Sequence, residues 1–393
     1  MNLVKTWNTK SLYLLFGIYV LITLLAAAQG LLAHPKVFEP GGPAYPDYNN
    51  YVIFKDSFFH LLKGQDIYRY FPGDHWDLYK YSPSFAVLFS GMAVLPDYLG
   101  LPIWLLLNSF VLFTGIVLLP GLSDTKKALV LLFCVPELLL SLQNDQSNAL
   151  MAGLIILGFA LAERSRYFLS ALCIVCSVYI KLFGGLAFVW YLFYPGKVRL
   201  ALYSLFWMAF MAFLPLLVVD LHQLLFLYSS WYHLVLQDRS ASVGMSVEGI
   251  LETWGHLPPS ANVVTLIGLL LFCLPMLRVG RYKDYAFRVL MLCSVLIWIV
   301  IFNHKAESPT FIIAMAGIGI WYFAKDKPGG LDLGLLIGAL ILTSLSVSDL
   351  VPQDIRTGIV RAYDLKAVMP LLVWSRIFQT AILPTVRSGS PTS

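Results

Sequence analysis

The chain has 393 residues, of which 59% are apolar and 12% are charged, and its formal net charge is +5. Soluble domains carry about 25% charged and about 45–50% apolar residues, so this composition excludes an ordinary soluble protein. The basic residues lie mostly in short gaps between apolar runs, which is typical of membrane orientation signals and argues against nucleic-acid binding. We predict one all-α domain over residues 1–393 that crosses the membrane many times.

Apolar segments follow one another along the whole chain. The first, 11–33, comes after Lys5 and Lys10 and has the roughly 20 residues that a bilayer crossing needs, so we predict an uncleaved first helix that enters from the cytoplasm. The others lie at 82–96, 101–121, 128–142, 149–162, 167–180, 182–194, 199–219, 262–277, 286–302, 308–324, 331–347 and 367–383.

The gaps between these segments alternate in charge. Basic gaps, such as those at Lys126 and Arg164, alternate with gaps that are acidic, rich in amides or long. Every basic gap falls on the cytoplasmic side only if 82–96 and 101–121 together cross once, which makes 82–96 a re-entrant or interfacial helix and leaves about 12 transmembrane helices. All seven histidines and most acidic residues then lie outside, so we predict extracytoplasmic chemistry.

Two large extracytoplasmic loops are predicted, at 34–81 and 220–261. Within the first, Asp47–Lys63 has the spacing of an amphipathic helix lying in the membrane interface. Its apolar face would hold Tyr51, Phe54, Phe58, Phe59, Leu61 and Leu62. Asp47 lies just outside the membrane, where a carboxylate could act as general base on a hydroxyl. The alternative is that Asp47 caps the helix.

Two further polar positions interrupt the apolar runs. Asn144, Gln146 and Asn148 lie in a hairpin at 144–148 and could hydrogen-bond sugar hydroxyls, or the hairpin could be an ordinary turn. Lys181 has no other charged residue near it between Tyr167 and Tyr194. Such a lysine needs an anionic partner, for which a phosphate is suitable, or it extends to the lipid head groups.

The segment 303–309 places three ionisable residues between two apolar runs. His304 or Lys305 could bind a phosphate leaving group, and Glu307 could orient them. The alternative is a solvated loop with a local ion pair.

The last extracytoplasmic loop has a basic face formed by Arg356, Arg361 and Lys366, which could bind anionic lipid. Cys173 and Cys176 have the spacing of a CxxC motif, but they lie in an apolar run with no polar residue to activate a thiolate or hold a metal. His304 has no second histidine or cysteine beside it at zinc-ligand spacing, so no metal is predicted. No phosphate-binding or serine-hydrolase motif occurs in a suitable context. We predict no cofactor.

Several of these segments resemble glycosyltransferase family 87. In the first loop the family has an Asp-aromatic-x-x-Tyr start, a Leu-Leu-x-Gly-x-x-x-Tyr middle and a Tyr-x-Pro end. The corresponding residues here are 47–51, 61–68 and 81–83. The hairpin is similar to the family's Gly-Gln-x-Asn, with Asp145 in place of glycine. Lys181 lies in an Ile-Lys-Pro-like element with Leu182 in place of proline, and 242–249 resembles an Asn-x-Ser loop more weakly.

The resemblance implies a membrane fold of the GT-C type and transfer of a sugar, usually mannose, from a polyprenyl-phosphate donor to a lipid or glycan acceptor. Asp47 would be the base of an inverting single displacement. Lys181, His304 and Lys305 would bind the donor phosphate. The sugar and acceptor would contact Tyr51, Asn144, Gln146, Asn148 and Glu307.

The partners implied are these substrates and membrane lipids, and the expected location is a bacterial inner membrane with an extracytoplasmic active site. Three other functions fit the sequence: a flippase or transporter of lipid-linked sugars, an O-antigen-type polymerase or ligase, and a non-catalytic scaffold. A transporter would usually have a repeat of its helices in two halves, which the sequence does not reveal.

Overall fold

The computed structural model describes residues 10–237, 244–256, 260–348 and 350–383. Within them the chain is nearly all-α, as predicted, and its strands are β1 (Lys36–Val37) and β2 (Ala44–Tyr45), which pair antiparallel. The α-helices are α1 (Lys10–Leu32), α2 (Asn49–Leu62), α3 (Pro83–Leu88), α4 (Ser90–Ala93), α5 (Asp97–Val117), α6 (Asp124–Gln143), α7 (Asn148–Glu163), α8 (Tyr167–Ile180), α9 (Lys197–Phe213), α10 (Leu221–Gln237), α11 (Val247–Gly255), α12 (Ala261–Cys273), α13 (Tyr285–Ile301), α14 (Phe311–Phe323), α15 (Gly330–Gly338), α16 (Gln353–Ile355) and α17 (Leu365–Ile382). Turns of 3₁₀ or π helix lie at Leu182–Phe193, Leu214–Leu217, Leu274–Leu277, Val279–Arg281, Ser308–Thr310, Ala339–Ser344, Leu345–Val347 and Arg356–Arg361.

Among the described residues, four helices are long and apolar enough to cross a bilayer. They are Lys10–Leu32, Asp97–Val117, Lys197–Leu217 and Gly330–Val347. Six more apolar helices have 10–17 residues. The chain therefore has the helices of a polytopic membrane protein, whereas the count of about 12 crossings stays a prediction. Lys5, which helped to orient the first helix, lies outside the described residues.

Residues 82–96 form two short helices instead of one long one. Ser82 caps α3 by accepting a hydrogen bond from the backbone N–H of Phe85, and Pro83 occupies the first helical position, where it needs no donor. α3 and α4 have 6 and 4 residues. At 1.5 Å per residue neither could cross a hydrocarbon core of about 30 Å. A single spanning helix is therefore absent here, and the re-entrant placement stays a prediction.

The amphipathic helix of the first loop is confirmed as α2, but its apolar face contacts protein. Tyr51, Phe54 and Leu61 have 0%, 1% and 0% of their surface exposed. Phe54 packs edge-on against Phe85 of α3 and Trp104 of α5. The prediction that this face lies in the lipid interface is therefore wrong for these residues, because they are buried and aromatic side chains of α3 and α5 pack against Phe54.

Much of the predicted loop 220–261 is helical. α10 and α11 account for most of its described residues, while 238–243 and 257–259 lie outside the described residues. α10 contacts the first loop: the Ser230 hydroxyl donates to both carboxylate oxygens of Asp66, at 2.9 and 2.8 Å, and Gln223 donates to the backbone oxygen of Gly64 at 3.0 Å. The two segments that we predicted as separate loops therefore contact each other.

The core lies around α5, α7, α13 and α14, and it fixes the start of α7. A side-chain carbon at Gly153 of α7 would overlap the backbone of Leu112 in α5, so glycine permits the two helices to approach closely. Asn108 of α5 then accepts a hydrogen bond from the backbone N–H of Leu150 at 3.0 Å. This contact satisfies a free N–H group in the first turn of α7, next to the polar hairpin.

Candidate functional site

The polar hairpin, residues 144–148 between α6 and α7, is held from three directions. The side chain of Asn144 donates to the backbone oxygen of Leu140 at 2.8 Å and so caps α6. Asn50 of α2 donates to the backbone oxygen of Asn144 at 2.9 Å, and the indole N–H of Trp104 donates to that of Asp145 at 2.8 Å. Amide-rich turns are common, but these contacts give this hairpin a fixed position between α2 and α5.

Four of the residues predicted from sequence form one hydrogen-bonded chain, which we call the amide chain. Lys181 Nζ donates to Asn148 Oδ1 at 2.7 Å, and Asn148 Nδ2 donates to Gln146 Oε1 at 2.6 Å. Gln146 Nε2 in turn donates to Glu307 Oε2 at 2.7 Å. Both amides therefore point their oxygen toward the ammonium group and their nitrogen toward the carboxylate.

The amide chain joins opposite charges across three parts of the sequence. Lys181 follows α8, Asn148 begins α7, and Glu307 precedes the turn at Ser308–Thr310. Asn148 is 0% and Gln146 9% exposed, so water is largely excluded from the two amides, and hydrogen bonds in such surroundings strengthen one another. Lys181 Nζ also lies 5.8 Å from the ring centre of Tyr81, whose hydroxyl accepts a bond from Ser147 at 3.3 Å.

Asp47 lies near the polar hairpin, close enough for its charge to act on Asp145, but it does not line the arginine cleft described below. Its carboxylate forms an ion pair with Lys36, and 10% of its side chain is exposed. The β1–β2 pairing explains this contact, because Lys36 lies opposite Tyr45, two residues before Asp47. The residue that caps α2 is Tyr48, and no side chain makes the cap hydrogen bond. The alternative of Asp47 as a helix cap is therefore wrong.

Asp145 adds a second carboxyl group beside Asp47. Its φ of 52° lies in the left-handed region, which glycine occupies freely and aspartate tolerates, so the backbone accepts the residue that replaces the family's glycine. Asp145 is 3% exposed. Burial raises the pKa of Asp145 well above 3.8, the negative charge of Asp47 raises it further, and the positive charge of Lys36 opposes the rise.

We expect Asp145→Asn to stabilise the protein, increasingly so as the pH rises. The folded-state pKa of Asp145 lies above its unfolded value of 3.8, so the folded protein holds the proton more tightly and its stability falls as the pH rises from about 4. Asparagine removes this cost and tolerates the same φ. Thermal unfolding in detergent should show equal midpoints for wild type and variant below pH 4 and a variant midpoint about 2–4 °C higher at pH 7. Equal midpoints throughout would contradict an ionising, buried Asp145.

A cleft of about 660 Å³ opens beside the amide chain. We call it the arginine cleft, because Arg356 and Arg361 line it together with Asn144 and Glu307. Its other lining residues are Leu140, Gly244, Met245, Ala306, Ser308, Pro309, Val347, Gln353, Thr357 and Asp364. The cleft therefore combines cationic donors for an anion with amide, hydroxyl and carboxylate groups that suit sugar hydroxyls.

Besides Asp47 and Asn144, which are described above, three predicted residues lie outside the amide chain: Tyr51, His304 and Lys305. Tyr51 is 0% exposed, and its hydroxyl donates to the backbone oxygen of Met92 at 3.2 Å, so it packs α2 against α4. His304 and Lys305 belong to the segment that carries Glu307, with His304 exposed and Lys305 half-buried. The backbone oxygen of His304 accepts a hydrogen bond from Gly244 N–H at 2.8 Å, which fixes the segment at the edge of the arginine cleft.

Sequence reasoning missed Glu137 and misplaced Lys366. Lys366 was predicted to lie on a lipid-binding basic face, but it is 0% exposed and forms an ion pair with Glu137, also 0% exposed, at 2.9 Å. That prediction is therefore wrong for Lys366, although Arg356 and Arg361 do line a cleft. A carboxylate within the apolar run of α6 was the available signal, since a charge at membrane depth requires a partner.

No group of three or more His, Cys, Asp or Glu side chains that could hold a metal ion occurs among the residues that the structure describes. The arrangement offers a carboxylate, a buried cation and an arginine-lined cleft around one hairpin. These groups suit transfer of a group between two oxygen atoms, with an acidic leaving group.

Comparison with known proteins identifies the family. The family model of glycosyltransferase family 87 matches residues 79–302, which is more than half of the chain. The matched range contains the polar hairpin and Lys181, whereas Asp47 and Glu307 lie outside it. No curated protein matches the chain. With the apolar helices described above, the match establishes that the chain belongs to glycosyltransferase family 87 and is a membrane glycosyltransferase.

Proposed function

We propose that the protein transfers a sugar, mannose by the family resemblance, from a polyprenyl-phosphate donor to a hydroxyl group of a lipid or glycan acceptor. The observation that carries this proposal is the amide chain, which ends at Glu307 on the wall of the arginine cleft. A polyprenyl chain stays in the bilayer, so its phosphate must meet cations where lipid and water adjoin. Cationic and sugar-binding groups beside one cleft supply that environment.

The donor phosphate would bind to cationic side chains near Glu307. Lys181, His304 and Lys305 are the phosphate-binding residues that we propose from the sequence, and Arg356 and Arg361 join them because they line the same cleft as Glu307. Guanidinium groups bind phosphate oxygens through paired hydrogen bonds. The sugar would lie against Asn144 and Glu307, with Gln146 and Asn148 holding Glu307 in place.

Asp47 would act as the base. Its carboxylate accepts the proton of the acceptor hydroxyl while that oxygen attacks the anomeric carbon of the donor sugar. The bond between the anomeric carbon and the phosphate oxygen breaks, and polyprenyl phosphate leaves with the bonding electrons. Attack opposite the leaving group inverts the anomeric configuration. Cations at the phosphate stabilise the negative charge that develops on it.

The positive-inside rule supports an extracytoplasmic site. The polar hairpin joins the end of α6 to the start of α7. Lys126 and Lys127 lie at the opposite end of α6, and Arg164 lies at the opposite end of α7. Basic residues mark the cytoplasmic side, so the hairpin would face outward, in the bacterial inner membrane that we expect from the sequence.

Transfer from a lipid donor tests the proposal. Purified protein in detergent is incubated with a lipid extract and either radiolabelled polyprenyl-phosphate mannose or radiolabelled nucleotide mannose. We expect a labelled glycolipid from the lipid donor alone. Label transferred only from the nucleotide sugar would refute the proposal, and another polyprenyl-phosphate sugar replacing mannose would refute the choice of mannose.

Arg361→Gln should raise the KM for the donor about tenfold, because a hydrogen bond to a charged group contributes about 1.5–3 kcal/mol and 1.4 kcal/mol is a factor of ten. We expect a smaller change in kcat, since the phosphate is charged in the ground state as well. Initial rates against donor concentration measure both constants. Arg69→Gln is the matched control, because the Arg69 side chain is 77% exposed in the first loop and does not line the cleft. An equal effect of both substitutions would contradict the assignment.

A further inference from the structure

The ion pair between Glu137 and Lys366 is the most completely buried charge contact among the described residues. Lys366 Nζ lies 2.9 Å from Glu137 Oε1 and 3.1 Å from Oε2, and neither side chain is exposed. Removing two charges from water costs several kcal/mol per ion, and well-packed apolar side chains often stabilise a protein as much or more. Stability alone is therefore a weak explanation for this pair.

Lys366 makes a third contact that leads to the site. Its Nζ donates to Ser308 Oγ at 2.8 Å, and Ser308 directly follows Glu307, the acidic end of the amide chain. Ser308 also lines the arginine cleft. The ammonium group of Lys366 thus donates hydrogen bonds both to Glu137 of α6 and to the segment that carries Glu307.

The pair joins three elements around the cleft. Glu137 lies seven residues before Asn144 on α6, about two helical turns, so both are on the same side of the helix that leads into the polar hairpin. Lys366 lies in the first turn of α17, where its backbone oxygen accepts a hydrogen bond from Thr343 Oγ1 at 3.0 Å. An ion pair with fixed geometry allows these elements only one relative position. Apolar side chains would restrict that position less.

We infer that Lys366, held by Glu137, is a positioning residue of the transfer reaction that keeps Glu307 within hydrogen-bonding distance of Gln146 through its contact with Ser308. The inference rests on the proposed function in one respect, that Glu307 contributes to catalysis. Lys366 itself touches no substrate in this account.

Ser308→Ala separates positioning from stability, because it removes the contact to the segment and leaves the ion pair in place. We expect kcat to fall about tenfold, a factor that corresponds to the loss of one hydrogen bond to a charged group, with little change in the unfolding midpoint. Hydrogen–deuterium exchange of residues 303–309 should be faster. Ser308→Thr retains a hydroxyl and should restore both rates.

The double variant Glu137→Gln/Lys366→Met tests the pair itself. It removes both charges at similar side-chain size and should remain folded, whereas Lys366→Met alone leaves a buried carboxylate and should be unstable. We expect the double variant to resemble Ser308→Ala in kcat and exchange. The matched control is Glu163→Gln/Arg288→Met, a partly buried ion pair of 2.6 Å at the opposite end of α7, which should leave kcat and exchange at 303–309 unchanged.

Wild-type kcat or unaltered exchange at 303–309 in folded Ser308→Ala and double variants would overturn the inference. Exchange is measured without substrate, so it decides whether Lys366 fixes the segment even if wild-type protein transfers nothing from polyprenyl-phosphate donors. In that case the proposed function fails, and faster exchange in both variants would still support the positioning of Glu307.

Discussion

Asp47→Asn is expected to lower kcat about 10²–10⁴-fold, the usual contribution of a general base, while the KM for the donor changes little. Asparagine has nearly the same shape but cannot take up the acceptor proton. The fold should survive, because Lys36, the ion-pair partner, has 61% of its side chain exposed and water can solvate it. Single-turnover transfer of labelled mannose and donor binding measured separately would resolve the two effects.

The matched control is Asp77→Asn in the same loop. Asp77 forms a half-exposed ion pair with Lys80 at 3.1 Å, and its φ of 73° is a conformation that asparagine also tolerates. Activity should stay at the wild-type level there. Full turnover by Asp47→Asn would show that another group removes the proton of the acceptor hydroxyl. Asp145, the carboxyl group near Asp47, would then be the next residue to test.

Lys181→Met is expected to lower kcat/KM about 10²–10³-fold, as the loss of one fixed donor at a developing charge does. Methionine fills a similar volume but cannot donate to Asn148, which is 0% exposed and whose Oδ1 would lose the donor that Lys181 supplies. The amide chain would lose its positive end, and Glu307 would no longer be fixed through Gln146. Initial-rate kinetics with the lipid donor would measure the loss in kcat and KM separately.

Lys80→Met removes a neighbouring lysine as a control. Lys80 pairs with Asp77 near the surface and has 39% of its side chain exposed, so its charge is screened by water. We expect activity within about twofold of wild type, because exposed ion pairs contribute about 0–1 kcal/mol. If Lys181→Met were as active as Lys80→Met, the amide chain would be a structural feature only.

Local sequence patterns predicted the parts of the site that lie within one segment. Apolar spacing in the first loop predicted α2, and the polar hairpin and Lys181 were conspicuous because each interrupts long apolar runs. The chemistry of a lone lysine or a buried carboxylate demands a partner, so the sequence indicated that contacts exist. Lys181 was expected to need an anionic partner, and the amide chain connects it to the carboxylate of Glu307.

The identity of distant partners lay beyond the sequence. Lys366 and Glu137 are 229 positions apart, and each carries the same hydropathy signal whether it meets lipid, water or an opposite charge. Similarly, the apolar face of α2 has the spacing of an interfacial helix, and only the packing of Phe85 and Trp104 around Phe54 distinguishes protein from lipid as its neighbour. The packing of the helices determines both the partner of Lys366 and the neighbour of the apolar face of α2. The periodicity of a single segment carries no information about that packing.

The central claim is that Asp47 and the amide chain serve one lipid-accessible cavity. The most direct measurement is a cryo-EM structure of the Asp47→Asn variant with polyprenyl-phosphate mannose bound. We predict density for the donor phosphate in the arginine cleft, within about 3 Å of a nitrogen of Arg356 or Arg361, the range of charge-assisted hydrogen bonds, and the sugar between it and residue 47. Donor density in a separate cavity, or a sugar that residue 47 cannot approach from the side opposite the phosphate, would contradict the account.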